Sequence, residues 1–173
     1  YKAGESNNNS SNDHDTLVDA SDPHSLLLPV GDSNVFIGYE AGSNNNDGHD
    51  NVFLGTEAGK NNTDGNSNVF LGNKAGDSNT GDCNVFLGLQ TGSNNQGSDN
   101  VFLGTLSGIA NTGGSSNVFI GNNTGAHNSN GANNVFLGTN AGVKNVYGRH
   151  NVFIGYKAGE SNNNSSNDHD TLV

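Results

Sequence analysis

The string Asn-Val-Phe-(Leu/Ile)-Gly occurs eight times in this chain, with the motif Asn at Asn34, Asn51, Asn68, Asn84, Asn100, Asn117, Asn134 and Asn151. Successive copies are 16 or 17 residues apart. With the motif Asn counted as zero, Gly recurs at +4 and +8, and a third Gly lies three residues before the next motif Asn. A small residue holds +7: Ala41, Ala58, Ala75, Thr91, Ser107, Thr124, Ala141 and Ala158. Asn fills +11 every time, at Asn45, Asn62, Asn79, Asn95, Asn111, Asn128, Asn145 and Asn162. The one-residue length variation falls between the +11 Asn and the third Gly, which marks that stretch as a loop. A five-residue strand cannot bury its own face. Copies at a short fixed period must bury it for one another by stacking.

Composition makes stacking a necessity. Of 173 residues only 30% are hydrophobic and 13% charged, while 26 are Gly and 34 are Asn. No apolar run reaches the roughly 18 residues that would read as a membrane span. The net charge of −11 repels a nucleic-acid backbone. One Cys makes neither an intrachain disulfide nor a thiolate cage. The absence of Met and of a signal-like start reads as an excerpt or a mature product.

A longer period lies above the short one. Residues 1–18 are identical to residues 156–173, an offset of 155. Asp15-Thr16-Leu17-Val18-Asp19 aligns with the motif as a degenerate copy ahead of Asn34, and its duplicate begins at Asp170, behind Asn151. The step from Asp15 to Asn34 equals the step from Asn151 to Asp170, and both are longer than the regular spacing. One large unit is then nine small repeats, each of 16–17 residues except for 19 at the seam. Residues 1–18 read as the end of a preceding module. Residues 34–155 read as eight regular coils, and 156–173 as a final coil and the start of the next module. Residues 19–33 form an irregular insertion with Pro23, Pro29 and Leu26-Leu27-Leu28. Pro cannot donate to a ladder, so the insertion is expected as a bulge or loop. Its leucines either pack back on the core or meet a neighbouring module.

The β-branched and aromatic Val-Phe-(Leu/Ile) segment suits a strand, and three Gly per repeat oppose a helix. The expected fold is all-β: a parallel β-solenoid with one coil per repeat. A second short strand is expected around +7. The recurring Gly are expected to supply positive φ at corners, and Asn tolerates such corners. Identical Asn at 0 and +11 should stack as two amide ladders. On the strand, Val (+1) and Leu/Ile (+3) face one way and Phe (+2) the other. A thin coil can hold Val and Leu against the small +7 residue. This points Phe36, Phe53, Phe70, Phe86, Phe102, Phe119, Phe136 and Phe153 outward as an interchain ladder about 4.8 Å apart. Inverting the assignment exposes Val and Leu instead. Either way one apolar face is left for a partner chain, and a homo-oligomer with the stripes on a common axis is expected.

Asn-Val-Phe-Leu-Gly-x-x-Ala-Gly-x-x-Asn, carried by residues 34–162, resembles the repeats of bacterial tail-fibre-domain surface proteins. More loosely it is similar to the head repeats of trimeric autotransporter adhesins, whose unit is shorter and has a small residue where this chain has Phe. The resemblance implies a β-roll or β-prism homotrimer on a cell surface, used as a stalk or adhesive head with a surface glycan or host receptor as partner.

Candidate chemistry is sparse. Asp13-His14-Asp15, repeated at Asp168-His169-Asp170, has metal-ligand residue types. Asp47 and Asp64 share a slot in adjacent coils, where calcium could bridge them. The slot continues as Thr80, Gln96, Gly113, Asn130 and Tyr147, so no continuous calcium ladder follows. Cys83 occupies a position held by Ser or Asp in other coils. The His residues share no coil position, and no nucleophile, base and orienter pair up; the chain does not read as an enzyme. Positions +5 and +6 read Tyr39-Glu40, Thr56-Glu57, Asn73-Lys74, Leu89-Gln90 and Thr105-Leu106, which is not the Thr array of an ice-binding face. The leading expectation is an extracellular or cell-surface fibre segment that associates with itself, head to tail and as a homo-oligomer. A carbohydrate- or ice-binding solenoid is the alternative, and a polysaccharide-cleaving solenoid comes last.

Overall fold

The computed structural model describes residues 16–18, 33–162 and 170–172. It is an all-β parallel solenoid. Among the described residues, ten strands form one sheet in strict chain order: β1 (Thr16–Val18), β2 (Val35–Ile37), β3 (Val52–Leu54), β4 (Val69–Leu71), β5 (Val85–Leu87), β6 (Val101–Leu103), β7 (Val118–Ile120), β8 (Val135–Leu137), β9 (Val152–Ile154) and β10 (Thr171–Leu172). Every pairing is parallel and in register, Val on Val and Phe on Phe through the regular coils. The degenerate copies keep that register: Leu17 pairs with Phe36, and Leu172 with Phe153. Residues 19–32 and the Asp13-His14-Asp15 segment lie outside the described residues, as do Asp168 and His169.

The Phe assignment is corrected. All eight Phe are fully buried, whereas Val and Leu/Ile face out and are partly exposed. The Phe rings form a continuous stack inside the solenoid, with centroids 4.7–4.9 Å apart and planes within 9° of parallel. They are therefore core, not interchain contacts. The physical reason is strand parity. Positions 0, +2 and +4 share one face of the strand, so an inward Asn ladder at 0 carries Phe inward with it. One flat ring per coil, lying beside Ala41 or its equivalent, fills a narrow interior at the stacking distance the strands already impose.

The second strand expected around +7 is a turn. Residue +6 has a left-handed backbone in every coil, with φ between 52° at Gln90 and 61° at Lys157. That interrupts an extended segment, although the turns still stack; Gly42 N–H, for example, donates to the Ala58 carbonyl at 2.9 Å.

Candidate functional site

Two asparagine ladders are the most ordered polar feature of the molecule. At position 0, each Asn Oδ1 accepts the backbone N–H of the next coil's motif residue at 2.9–3.1 Å, ending with Asp170 N–H on Asn151. At +11 the ladder is amide to amide: each Nδ2 donates to Oδ1 of the preceding coil, from Asn62 on Asn45 to Asn145 on Asn128, at 2.6–3.0 Å. The ladders are tied to one another. In the coil starting at Asn51, both Asn51 Nδ2 and Asn62 Nδ2 donate to the Gly65 carbonyl, each at 2.8 Å. The equivalent carbonyl, from Gly48 to Gly148, accepts the same pair in the other coils that start at Asn34 to Asn134. Thus Asn34 and Asn45, Asn68 and Asn79, Asn84 and Asn95, Asn100 and Asn111, Asn117 and Asn128, and Asn134 and Asn145 each close one coil onto one carbonyl. Buried amides with this many partners stabilise a coil that has little apolar area of its own.

That third Gly is required by close approach. A Cβ on Gly65 would stand 2.4 Å from Asn62 Oδ1 and 2.7 Å from the Gly81 carbonyl oxygen. Its φ is not in the left-handed region, so positive φ at Gly corners holds for +4 and +8 only. The other left-handed corners are non-glycine: position +6, and position −1 from Ser33 to His150, which includes Cys83.

The outer surface divides by column. Val (+1) and Leu/Ile (+3) make an aliphatic face along the sheet. A charged cluster spans coils starting at Asn34, Asn51 and Asn68. Lys60 Nζ pairs with Glu40 and lies 3.9 Å from Glu57, and Lys74 Nζ is 3.4 Å from Glu57. The Lys60 hydrogen bond holds the Glu40 carboxyl below its ordinary value, and the same bond raises the Lys60 ammonium. The Glu40 hydrogen bond raises the Tyr39 phenol. Burial pushes the Asp77 carboxyl up, with Glu57 adding to it.

Asp47 and Asp64 are both exposed in adjacent coils; Asp47 N–H donates to the Thr63 carbonyl, and Thr63 Oγ1 to Asp64 Oδ2 at 3.2 Å. Among the described residues, no three His, Cys, Asp or Glu side chains gather as a metal site. Cys83 is exposed. His49 Nδ1 lies 2.8 Å from Asp50 Oδ2 on the surface. The aliphatic face is the inverted strand assignment that the sequence left as the alternative, and the charged cluster has no counterpart in the sequence reading. Parity with the motif Asn could have revealed the first; no local signal marks the second. Compared with known proteins, the chain matches no family model, no curated protein and no solved structure.

Proposed function

We propose that this chain is a structural segment of an extracellular fibre, a stalk, adhesin or filament built from tandem β-solenoid units. The observation that carries the reading is register across the seam. The degenerate strands β1 and β10 pair with their regular neighbours in the same register as the motif, although the seam spacing is longer than the regular one. The 155-residue period therefore adds whole coils to one stack, as a fibre-forming unit requires. The buried polar side chains support the same reading, since their donors and acceptors serve rigidity along the axis. The extracellular setting rests on the likeness of the repeat to surface proteins. Head-to-tail continuation with another unit is the axial partner this implies.

Nine coils at about 4.8 Å each should give an axial period of about 43 Å per 155 residues. Negative-stain images and fibre diffraction would read both filament formation and that period. The expected result is long unbranched filaments. The unit is acidic, so their bundling should increase with calcium or ionic strength. Discrete globular particles at every salt concentration would overturn the reading.

A further inference from the structure

The outward aliphatic face is more uniform than its exposure requires. Val occupies +1 in all eight coils and Leu or Ile occupies +3 in all eight. Val52, Leu54, Val69, Leu71, Val85 and Leu87 are 38–42% exposed. A half-exposed strand position accepts Thr, Lys or Glu without loss of packing, and charge there protects a sheet from association. None occurs. By contrast, the +7 position, fully buried in every coil but that of Ala158, accepts Ala, Thr or Ser, and +5 and +6 range over Tyr, Thr, Asn, Leu, Glu, Lys and Gln. Packing within the chain therefore does not explain why these sixteen positions stay aliphatic.

We infer that this face is an interface with the same face of a second copy of the chain. The inference deepens the fibre reading and rests on it for the presence of many copies. Eight of the sixteen are 38–42% exposed and the other eight are partly exposed, so the face is one continuous apolar strip along the regular coils. Its area is on the order of the 800 Å² each partner gives to a standard interface, above the patch a typical monomer leaves uncovered. The occupant follows from the spacing. Rows of Val and Leu repeat with the coils, whose stacked Phe rings are 4.7–4.9 Å apart. A partner without that period meets one or two rows and falls out of step with the rest. A second copy stays in step over the whole face.

The geometry favours two chains. Packed sheets lie about 10 Å apart, so each wall stands about 5 Å from the midline. Each strand has three residues and is about 10 Å long, which matches one flat face laid on another. A three-walled prism with walls about 5 Å from its axis needs sides of roughly 17 Å, so three such strands leave its corners open.

Sedimentation velocity of the whole chain, with mass per length by scanning transmission microscopy where filaments form, tests the pairing. The wild type should show twice the 17.8 kDa chain mass, or two chains per filament cross-section. The triple variant Leu71→Thr, Leu87→Thr, Leu103→Thr should fall to one chain with an unchanged circular dichroism spectrum. If that variant fails to fold, Leu87→Lys alone places one charge on the face and should weaken pairing at least tenfold. Tyr147→Thr, an exposed residue away from this face, should leave pairing intact. A wild-type monomer, a three-chain mass, pairing insensitive to Leu87→Lys, or lipid vesicles binding the chain as a monomer through this face would each overturn the inference. Filaments one chain wide would leave the fibre reading standing while overturning this one. Isolated pairs would do the reverse.

Discussion

Gly76 lies against the ring of Phe70, and a Cβ added to it would stand 2.4 Å from Phe70 Cε2. The same relation joins Gly42 to Phe36, Gly59 to Phe53 and Gly92 to Phe86. The aromatic spine thus exists because +8 has no side chain. Two positions six residues apart in sequence form one packing unit, and neither can change alone.

Gly76→Ala should therefore be among the most damaging single-methyl changes available. Its φ of 59° costs a side chain about 1–2 kcal/mol. Displacing a ring packed between Phe53 and Phe86 adds about 1–3 kcal/mol. Urea unfolding should show a loss of about 2–5 kcal/mol. A loss under about 1 kcal/mol would mean the ring has room to move.

Phe86→Ala tests the corrected placement of the ring. Removing a buried Phe costs about 3–5 kcal/mol through lost burial and the cavity left behind. The stack should break between Phe70 and Phe102, and the unfolding midpoint should drop accordingly. Phe86→Ala that folds as stably as wild type but dissociates an oligomer would restore the outward assignment.

The coil register was legible because Asn, Gly and Phe recur at fixed offsets, and β1 and β10 kept the alignment drawn from Thr16-Leu17-Val18. The direction of the ring was legible too, though only by joining two observations. Asn34 and Phe36 are two apart on a strand, so an interior ladder at one puts the other inside. Weighing side-chain volume alone led the other way. The left-handed corners were not legible. Glu40, Lys74, Gln90 and Leu106 share one backbone conformation and no chemical property. The stack holds them there: Leu106 N–H donates to the Leu89 carbonyl at 3.0 Å, as Lys74 N–H does to the Thr56 carbonyl at 2.9 Å. Likewise, the third Gly of each coil looks like a turn residue in sequence, yet Gly65 is fixed by the Asn62 amide of its own coil and the Gly81 carbonyl of the next.

Leu106→Asn should stabilise the protein. Leu106 has φ 59°, and the next two coils place Asn123 and Asn140 at the same corner with φ 55° and 59°. Asn meets less steric cost in this region than Leu, so a gain of about 1 kcal/mol is expected. Thermal unfolding of the two forms would show it, and a lower midpoint for Leu106→Asn would mean that the Leu side chain contributes packing that outweighs the corner.

The charged cluster gives stability a predictable pH dependence. Glu40 has a folded value below its ordinary 4.5, so its contribution is present above 4.5 and lost as pH falls through the depressed value. Lys60 is raised above 10.5, so its contribution is present below 10.5 and lost as pH rises through the raised value. Asp77 acts oppositely. Its folded carboxyl is raised above 3.8 by burial, so it favours the folded state in acid and opposes it once ionised. Lys60→Met should flatten the first two limbs, and Asp77→Asn should raise the melting temperature at neutral pH. Melting curves from about pH 3 to 11 would measure both. An alkaline limb unchanged by Lys60→Met would contradict the assignment to Lys60.

Asn95→Asp asks whether the ladder needs amides or only polar atoms. Asn95 Nδ2 donates to Asn79 Oδ1 at 2.7 Å and to the Gly97 carbonyl at 2.5 Å, while Asn95 Oδ1 accepts from Asn111 Nδ2 at 2.6 Å. A carboxylate can still accept from Asn111. It cannot donate, so its second oxygen would face two acceptors at a site fully closed to solvent. The expected cost at pH 7 is about 3 kcal/mol or more. Protonation restores one donor, so the carboxyl should hold its proton more tightly in the folded state than in the unfolded one. The penalty should then shrink as pH falls towards about 4 and grow as pH rises above it. Asn46→Asp, on an exposed side chain of another coil, should show no such trend. Urea midpoints of the wild type and both variants at acid and neutral pH would decide the matter. An Asn95→Asp penalty that is equal at the two pH values would place the loss in geometry. A penalty near zero would show that the ladder tolerates an acceptor in place of a donor.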